Sequence, residues 1–202
     1  GVFNVVHGRG DTVGDALLRA DAVRAVSFTG STGVGAHVAA VCAGRNVRFQ
    51  TEMGGKNVAI VMPDADLDLA ARLTAAGAMR FAGQKCTATS RAVVAKEVLG
   101  AFTEKLAGVV AGLQLGPVGG PAAAIGPLIT AHARDRVLTA VSSLQDRWVC
   151  GGGRPNGAAF ARGFYVEPTI VRDAEPDSEV AQEEVFGPVL ALMPADDLDH
   201  AL

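Results

Sequence analysis

Over residues 2–62, short apolar, β-branched runs alternate with segments of helical spacing, and few architectures tolerate that alternation. Residues 2–6, 23–28, 47–51 and 58–62 read as strands. Residues 13–20 read as a helix on Val13, Leu17 and Leu18, and residues 34–43 as a small-residue helix stopped by Gly44. A period of two suits a strand and a period near 3.6 a helix, so spacing assigns the element types. Strand, helix, strand, helix, strand at this spacing requires crossover connections, and crossovers join parallel neighbours. The pattern predicts an α/β fold built on a parallel sheet.

The same grammar continues downstream. The longest predicted helix runs from residue 65 to about 81, capped by Asp64, with Leu67, Ala70, Ala71, Leu73, Ala76 and Met79 along one face. Residues 92–94, 148–150, 164–171 and 189–193 read as strands, and residues 98–113 and 130–144 as helices. Asp196 reads as the cap of a last helix through Leu198, Ala201 and Leu202. The chain opens at Gly1 rather than a methionine and stops inside that last helix, so a piece of a longer polypeptide is expected.

Composition removes several function classes. With 18 Lys+Arg against 21 Asp+Glu the net charge is -3, which leaves no basic excess to drive phosphate binding, so nucleic acid is not an expected partner. Residues 106–131 carry no charge, but Gly108, Gly112, Gly116, Pro117, Pro121 and Pro127 interrupt them, and such a run cannot sustain a spanning helix. No membrane partner is expected. Cys42, Cys86 and Cys150 are odd in number, far apart and without a CxxC spacing. That pattern predicts neither a disulfide framework nor a metal site, and a reducing, cytoplasmic compartment.

Four places carry chemistry. Cys86 lies in a polar, small-residue segment, Gly83-Gln84-Lys85-Cys86-Thr87-Ala88, whereas Cys42 sits in an apolar run as a structural thiol does. A free thiol is only slightly ionised at neutral pH, so a nucleophilic Cys86 needs help that Lys85 could supply; an inert thiol is the alternative. Glu52 ends an apolar strand and precedes Gly54 and Gly55. It reads either as a carboxylate at the carboxyl edge of a parallel sheet, where open α/β folds bind ligands, or as a solvated residue beside a turn. The Phe28-Thr29-Gly30-Ser31-Thr32-Gly33 turn could offer helix N–H groups to a phosphate, or be an ordinary tight turn. Glu183-Glu184-Val185-Phe186-Gly187-Pro188 could bind sugar hydroxyls or form a solvated acidic loop.

Taken in order, these stretches resemble the aldehyde dehydrogenase superfamily. The turn from Phe28 to Ser31, Glu52-Met53-Gly54-Gly55-Lys56, Gly83-Gln84-Lys85-Cys86 and Glu184-Val185-Phe186-Gly187-Pro188 match its motifs, as does the spacing of 34 between Glu52 and Cys86. The resemblance extends through Gly126-Pro127-Leu128-Ile129 and Gly163-Phe164-Tyr165-Val166-Glu167-Pro168-Thr169, nearly the whole chain. Within the family, residues 51–57 and 83–91 look like the α-ketoglutaric semialdehyde dehydrogenase branch.

The resemblance implies that residues 1–53 are the later half of a Rossmann-type dinucleotide-binding domain. Residues 54–202 would be most of an α/β catalytic domain, with Cys86 in the cleft between the two. It implies NAD- or NADP-dependent oxidation of a small aldehyde, such as a semialdehyde, to an acid. Cys86 would attack the aldehyde, and Glu52 would activate water against the resulting thioester. Gly30 and Ser31 would lie near the cofactor diphosphate, Met53 beside the cofactor, Glu184 on the nicotinamide ribose and Phe186 against the nicotinamide. Family members that pass the acyl group to coenzyme A usually lack the Glu, so Glu52 favours hydrolysis; a coenzyme-A-acylating enzyme and a non-catalytic remnant are the alternatives. The family's oxyanion Asn and its ribose-reading residues lie upstream of Phe28 and do not occur here, which leaves the Cys86 N–H as oxyanion donor. The 202 residues alone are therefore expected to be close to inactive, and the parent to be a homo-oligomer, dimeric or tetrameric.

Overall fold

The structure is a computed structural model that describes residues 1–117, 119–120 and 123–202; Pro121 lies outside them. The chain divides into two compact units, Gly1–Gly54 and Gly55–Leu202.

In the first unit, a π-type turn over Gly10–Gly14 leads into the short helix α1 (Asp15–Arg19). Strand β1 (Ala25–Thr29), helix α2 (Thr32–Gly44) and strand β2 (Arg48–Glu52) then form a crossover, with β1 and β2 parallel from Ala25 beside Arg48 to Thr29 beside Glu52. Buried Leu18, Val38 and Cys42 form the core, with Val26, Phe28, Val41 and Val47 packed on it. Val26 and Phe28 alternate with exposed Ala25, Ser27 and Thr29, so this sheet covers one face only. The expected strand at residues 2–6 does not form. Val2, Phe3, Val5 and Val6 are exposed, and no described residue pairs with them; an unpaired strand leaves its backbone groups without partners. Gly44 is the last helical residue of α2, not its stop. Asn46, at φ 54°, makes the left-handed exit, a conformation that asparagine tolerates better than most side chains.

The second unit holds five strands, β3 (Asn57–Val61), β4 (Thr89–Ala95), β5 (Trp148–Cys150), β6 (Thr169–Val171) and β7 (Val189–Ala195), ordered β3-β4-β7-β6-β5. All neighbours are parallel except β5 and β6. The strand expected at 58–62 is therefore the edge of this second sheet and not a continuation of the first. Central β7 is an almost unbroken buried run, as a strand covered on both faces must be. Helices α3 (Leu67–Met79), α4 (Lys96–Ala111) and α5 (Ala131–Ser142) supply Ala71, Met79, Phe102, Leu106 and Val137 to the same core as Val94, Ile170 and Leu190. Two short helices, α6 (Glu179–Gln182) and α7 (Leu198–Ala201), follow.

Local chemistry moves several boundaries. Asp66 caps α3, accepting from the N–H groups of Asp68 and Leu69 at 3.0 Å each, because a turn closed by Ala65 N–H on Met62 O already holds Asp64. In the same way Asp197, not Asp196, caps α7 by accepting from His200 N–H, and Asp196 pairs with Lys96. α3 ends at Met79 instead of running to 81, because Phe81, Ala82 and Gly83 all take positive φ. Of residues 164–171 only Thr169–Val171 is strand. Pro168 has no N–H to give a ladder, and Phe164 makes an isolated bridge to Leu128.

Among the described residues no helix is long and apolar enough to cross a membrane, and no group of three His, Cys, Asp or Glu could hold a metal ion.

Candidate active site

In the first unit the Gly30-Ser31 turn joins β1 to α2. Gly30 N–H donates to the carbonyl of Glu52 at 3.0 Å, which fixes the turn against the end of β2. A Cβ at Gly30 would collide with the Phe28 ring, and one at Gly35 with Met53 Sδ, so both glycines allow close packing beneath the first helical turn. Ser31 is the N-cap residue, yet its side chain makes no capping bond. Among the described residues nothing pairs with the N–H groups of Thr32, Gly33 and Val34, so the helix start presents three free donors.

An apolar cleft of about 790 Å³ lies alongside, lined by Gly10, Gly14, Leu17, Phe28, Val34 and Val38 among others. At its edge His37 Nε2 lies 2.9 Å from Asp15 Oδ1. The Arg19 guanidinium first, and His37 second, hold the Asp15 carboxyl below its ordinary range. The Glu52 side chain is exposed at the end of β2 and accepts from Gln50 Nε2 at 3.1 Å.

In the second unit Cys86 is the one exposed thiol of the three; Cys42, in the first unit, is fully buried, and Cys150 is half-buried with its thiol pushed up by desolvation. The Cys86 loop is fastened on both sides. Ala88 N–H closes a turn on Lys85 O at 3.0 Å, and Asn57 Nδ2 donates to the carbonyls of Cys86 at 2.7 Å and Ala88 at 2.9 Å. Gln84 Nε2 reaches Phe81 O at 3.2 Å and Pro127 O at 3.5 Å, while its Oε1 accepts from Ile129 N–H at 3.0 Å. No described residue pairs with the Cys86 N–H. The Lys85 ammonium lies 5.1 Å from the centre of the Phe81 ring.

Glu184 Oε1 accepts from Gly55 N–H at 3.4 Å, and Phe186 holds a left-handed backbone at φ 54°. Gly55, Lys85, Glu184 and Phe186 line one small crevice, so the Cys86 loop and the acidic loop meet there. Phe186 also borders a groove of about 990 Å³ with Arg80, Phe81, Gln84, Ile129 and Arg162. Burial and then neighbouring Arg91 lower the Lys56 pKa to about 8, against the opposing pull of Glu184 and Glu183. Arg91 donates to Lys56 O at 2.7 Å, and its Nε is buried without a partner among the described residues.

Several of these features had no sequence signal. Asn57 bonds residues 29 and 31 positions away, and nothing in its own neighbourhood announces that. The apolar cleft of the first unit could have been suspected from Gly10, Gly14 and Gly33 alone, but only packing shows that their surfaces converge.

Comparison with known proteins shows the family to which the chain belongs. The aldehyde dehydrogenase family model matches residues 1–202. The chain is 38% identical over 205 residues to the alpha-ketoglutaric semialdehyde dehydrogenase of Bacillus subtilis, covering 100% of this chain and 42% of that protein. It is 38% identical over 210 residues to 1-pyrroline-5-carboxylate dehydrogenase 1 of Halalkalibacterium halodurans, covering 100% of this chain and 40% of the relative. The crystal structure of HpcC from Thermus thermophilus superposes with a TM-score of 0.95 at 34% identity, over 99% of this chain and 40% of that one. A Mycobacterium tuberculosis aldehyde dehydrogenase complexed with NAD+ gives 0.89 at 36% identity, over 93% and 39%. The chain thus spans about two fifths of the relatives it matches. On a match along its full length, it belongs to the aldehyde dehydrogenase family.

Proposed function

We propose that the enzyme containing this chain oxidises a small aldehyde to its carboxylic acid with NAD or NADP, using Cys86 as nucleophile and Glu52 as general base. The observation that carries this reading is the Cys86 loop, where an exposed thiol stands on a backbone held by two amide side chains, beside its own unpaired N–H. The Cys86 thiol gives its proton to solvent and attacks as thiolate: its sulfur bonds to the aldehyde carbon, the carbonyl π pair moves onto oxygen, and the Cys86 N–H donates to that oxygen as it becomes negative. Loss of hydride from that carbon leaves a thioester on Cys86. Glu52 takes a proton from water, whose oxygen attacks the thioester carbon and expels the thiolate. One difficult oxidation is thereby divided into two easier steps.

The first unit fits a dinucleotide. Three free N–H groups at the start of α2 suit a diphosphate, with Gly30 and Ser31 at the turn and Met53 beneath it, and the apolar cleft suits an adenine ring. Glu184 would hold the nicotinamide ribose and Phe186 would face the nicotinamide. Bound there, the cofactor supplies a hydride acceptor. In this reading residues 1–53 belong to the cofactor domain and residues 54–202 to the catalytic domain of a homo-oligomeric enzyme.

Arg80 and Arg162 both line the groove beside Gln84, which suits an aldehyde bearing a carboxylate, in keeping with the printed name of the alpha-ketoglutaric semialdehyde dehydrogenase relative. The test is pre-steady-state turnover on such a substrate. Cys86→Ala should abolish NADH formation. Glu52→Gln should release about one NADH per site and stall at a thioester detectable by mass spectrometry. Full turnover by Cys86→Ala would refute the assignment, and release of acyl-coenzyme A instead of free acid would refute the hydrolytic step.

A further inference from the structure

We propose that Asn57 is a positioning residue for Cys86: by holding the Cys86 and Ala88 carbonyls it fixes the direction in which the thiol and its own N–H point. The proposal rests on the reading of Cys86 as nucleophile. Asn57 opens β3, at the residue where the β3–β4 register shifts, so its side chain is turned out of the regular ladder toward the loop. Both hydrogens of its amide are used, at 2.7 Å on Cys86 O and 2.9 Å on Ala88 O. Two carbonyls of one tight turn are thus drawn to a single nitrogen, while the Lys85–Ala88 hydrogen bond closes the turn from within.

Fixing the Cys86 carbonyl fixes the following peptide plane. Together with the Gln84 anchor on the preceding side, it leaves the backbone at residue 86 little torsional freedom. Gly55 completes the arrangement, since a Cβ there would touch both Asn57 Oδ1 and Cys86 O at 3.4 Å. No other residue type does this in the same space. Aspartate keeps the shape but places an oxygen against two carbonyl oxygens, and alanine leaves both carbonyls unpaired.

The experiment compares Asn57→Asp and Asn57→Ala with the unaltered enzyme by three readouts. Amide exchange at Ala88 should quicken about tenfold or more in both variants, while Ala92, Val93 and Val94 of β4 keep their protection. For aldehyde oxidation kcat should fall about 10- to 100-fold, more for Asp than for Ala, with KM changed less than about threefold, because orientation and not binding is lost. Alkylation of Cys86 by iodoacetamide, which requires access and little orientation, should stay within about threefold. Unchanged exchange at Ala88 overturns the proposal, as does unchanged kcat despite a loosened loop. Loss of protection throughout β4 in both variants also overturns it, because Asn57 would then be needed for the fold itself. An enzyme that oxidises no aldehyde even with Asn57 intact fails the functional reading instead, and the exchange measurement still decides whether Asn57 holds the loop.

Discussion

The α-carbon of Gly83 faces the main chain of Gly187 so closely that a Cβ would overlap the Gly187 carbonyl oxygen. Gly83 also holds φ +68°, the third left-handed residue in a row after Phe81 and Ala82. The obstacle is backbone, which cannot swing away as a side chain could. Gly83→Ala should destabilise the second unit by about 2–4 kcal/mol, combining overpacking with a disfavoured backbone angle. Urea denaturation measures it, and a change below about 0.5 kcal/mol would show that the two loops separate freely.

Gln84, the next residue, ties the same loop to a different segment, through Pro127 O and Ile129 N–H. Gln84→Glu replaces the donor that serves Phe81 O and Pro127 O with an oxygen, and should cost about 1–3 kcal/mol at neutral pH. Facing two carbonyls, the new carboxyl is held protonated, so its folded pKa rises above the unfolded value of about 4.3. The variant should recover stability as pH falls below that value and lose it as pH rises through the folded pKa. Melting curves from pH 3.5 to 7 would reveal this, and a pH-independent deficit would speak against the hydrogen-bond assignment.

Lys56 gives the unaltered protein a pH dependence of the opposite kind. Burial, then Arg91, lowers its folded pKa to about 8 from 10.5, so the unfolded chain binds more protons between those values. Its contribution to stability therefore increases as pH rises from about 8 toward 10.5. Lys56→Met should be more stable than the unaltered protein at pH 7, with the gap narrowing by pH 10. A constant gap across that range would place the ammonium in water.

Capping gives a test of local chemistry. Asp66→Ala should cost about 1 kcal/mol, because two N–H groups of α3 lose their acceptor, while Asp64→Ala should stay within about 0.5 kcal/mol. Parallel urea titrations of the two variants measure the difference. Equal losses would return the cap to Asp64.

Much of this molecule could be read from spacing alone. Alternation and helical periodicity act within a few residues, so the β1-α2-β2 crossover, the cores of α3, α4 and α5, and the strand β7 were all visible in the sequence, as was the unusual setting of Cys86. What lay beyond reach depends on partners distant in the chain. Residues 2–6 have strand composition, yet a strand exists only where another strand supplies its hydrogen bonds. Glu184 meets Gly55 across 129 residues, Asn57 meets Cys86 across 29, and β7 enters between β4 and β6; no local preference encodes these pairings. Sequence determined the helix or strand preference of each segment and which residues were chemically out of place. Only the tertiary structure decided which backbone groups those residues would hold, because a hydrogen bond depends on distance in space, and folding sets that distance by burying the apolar faces together.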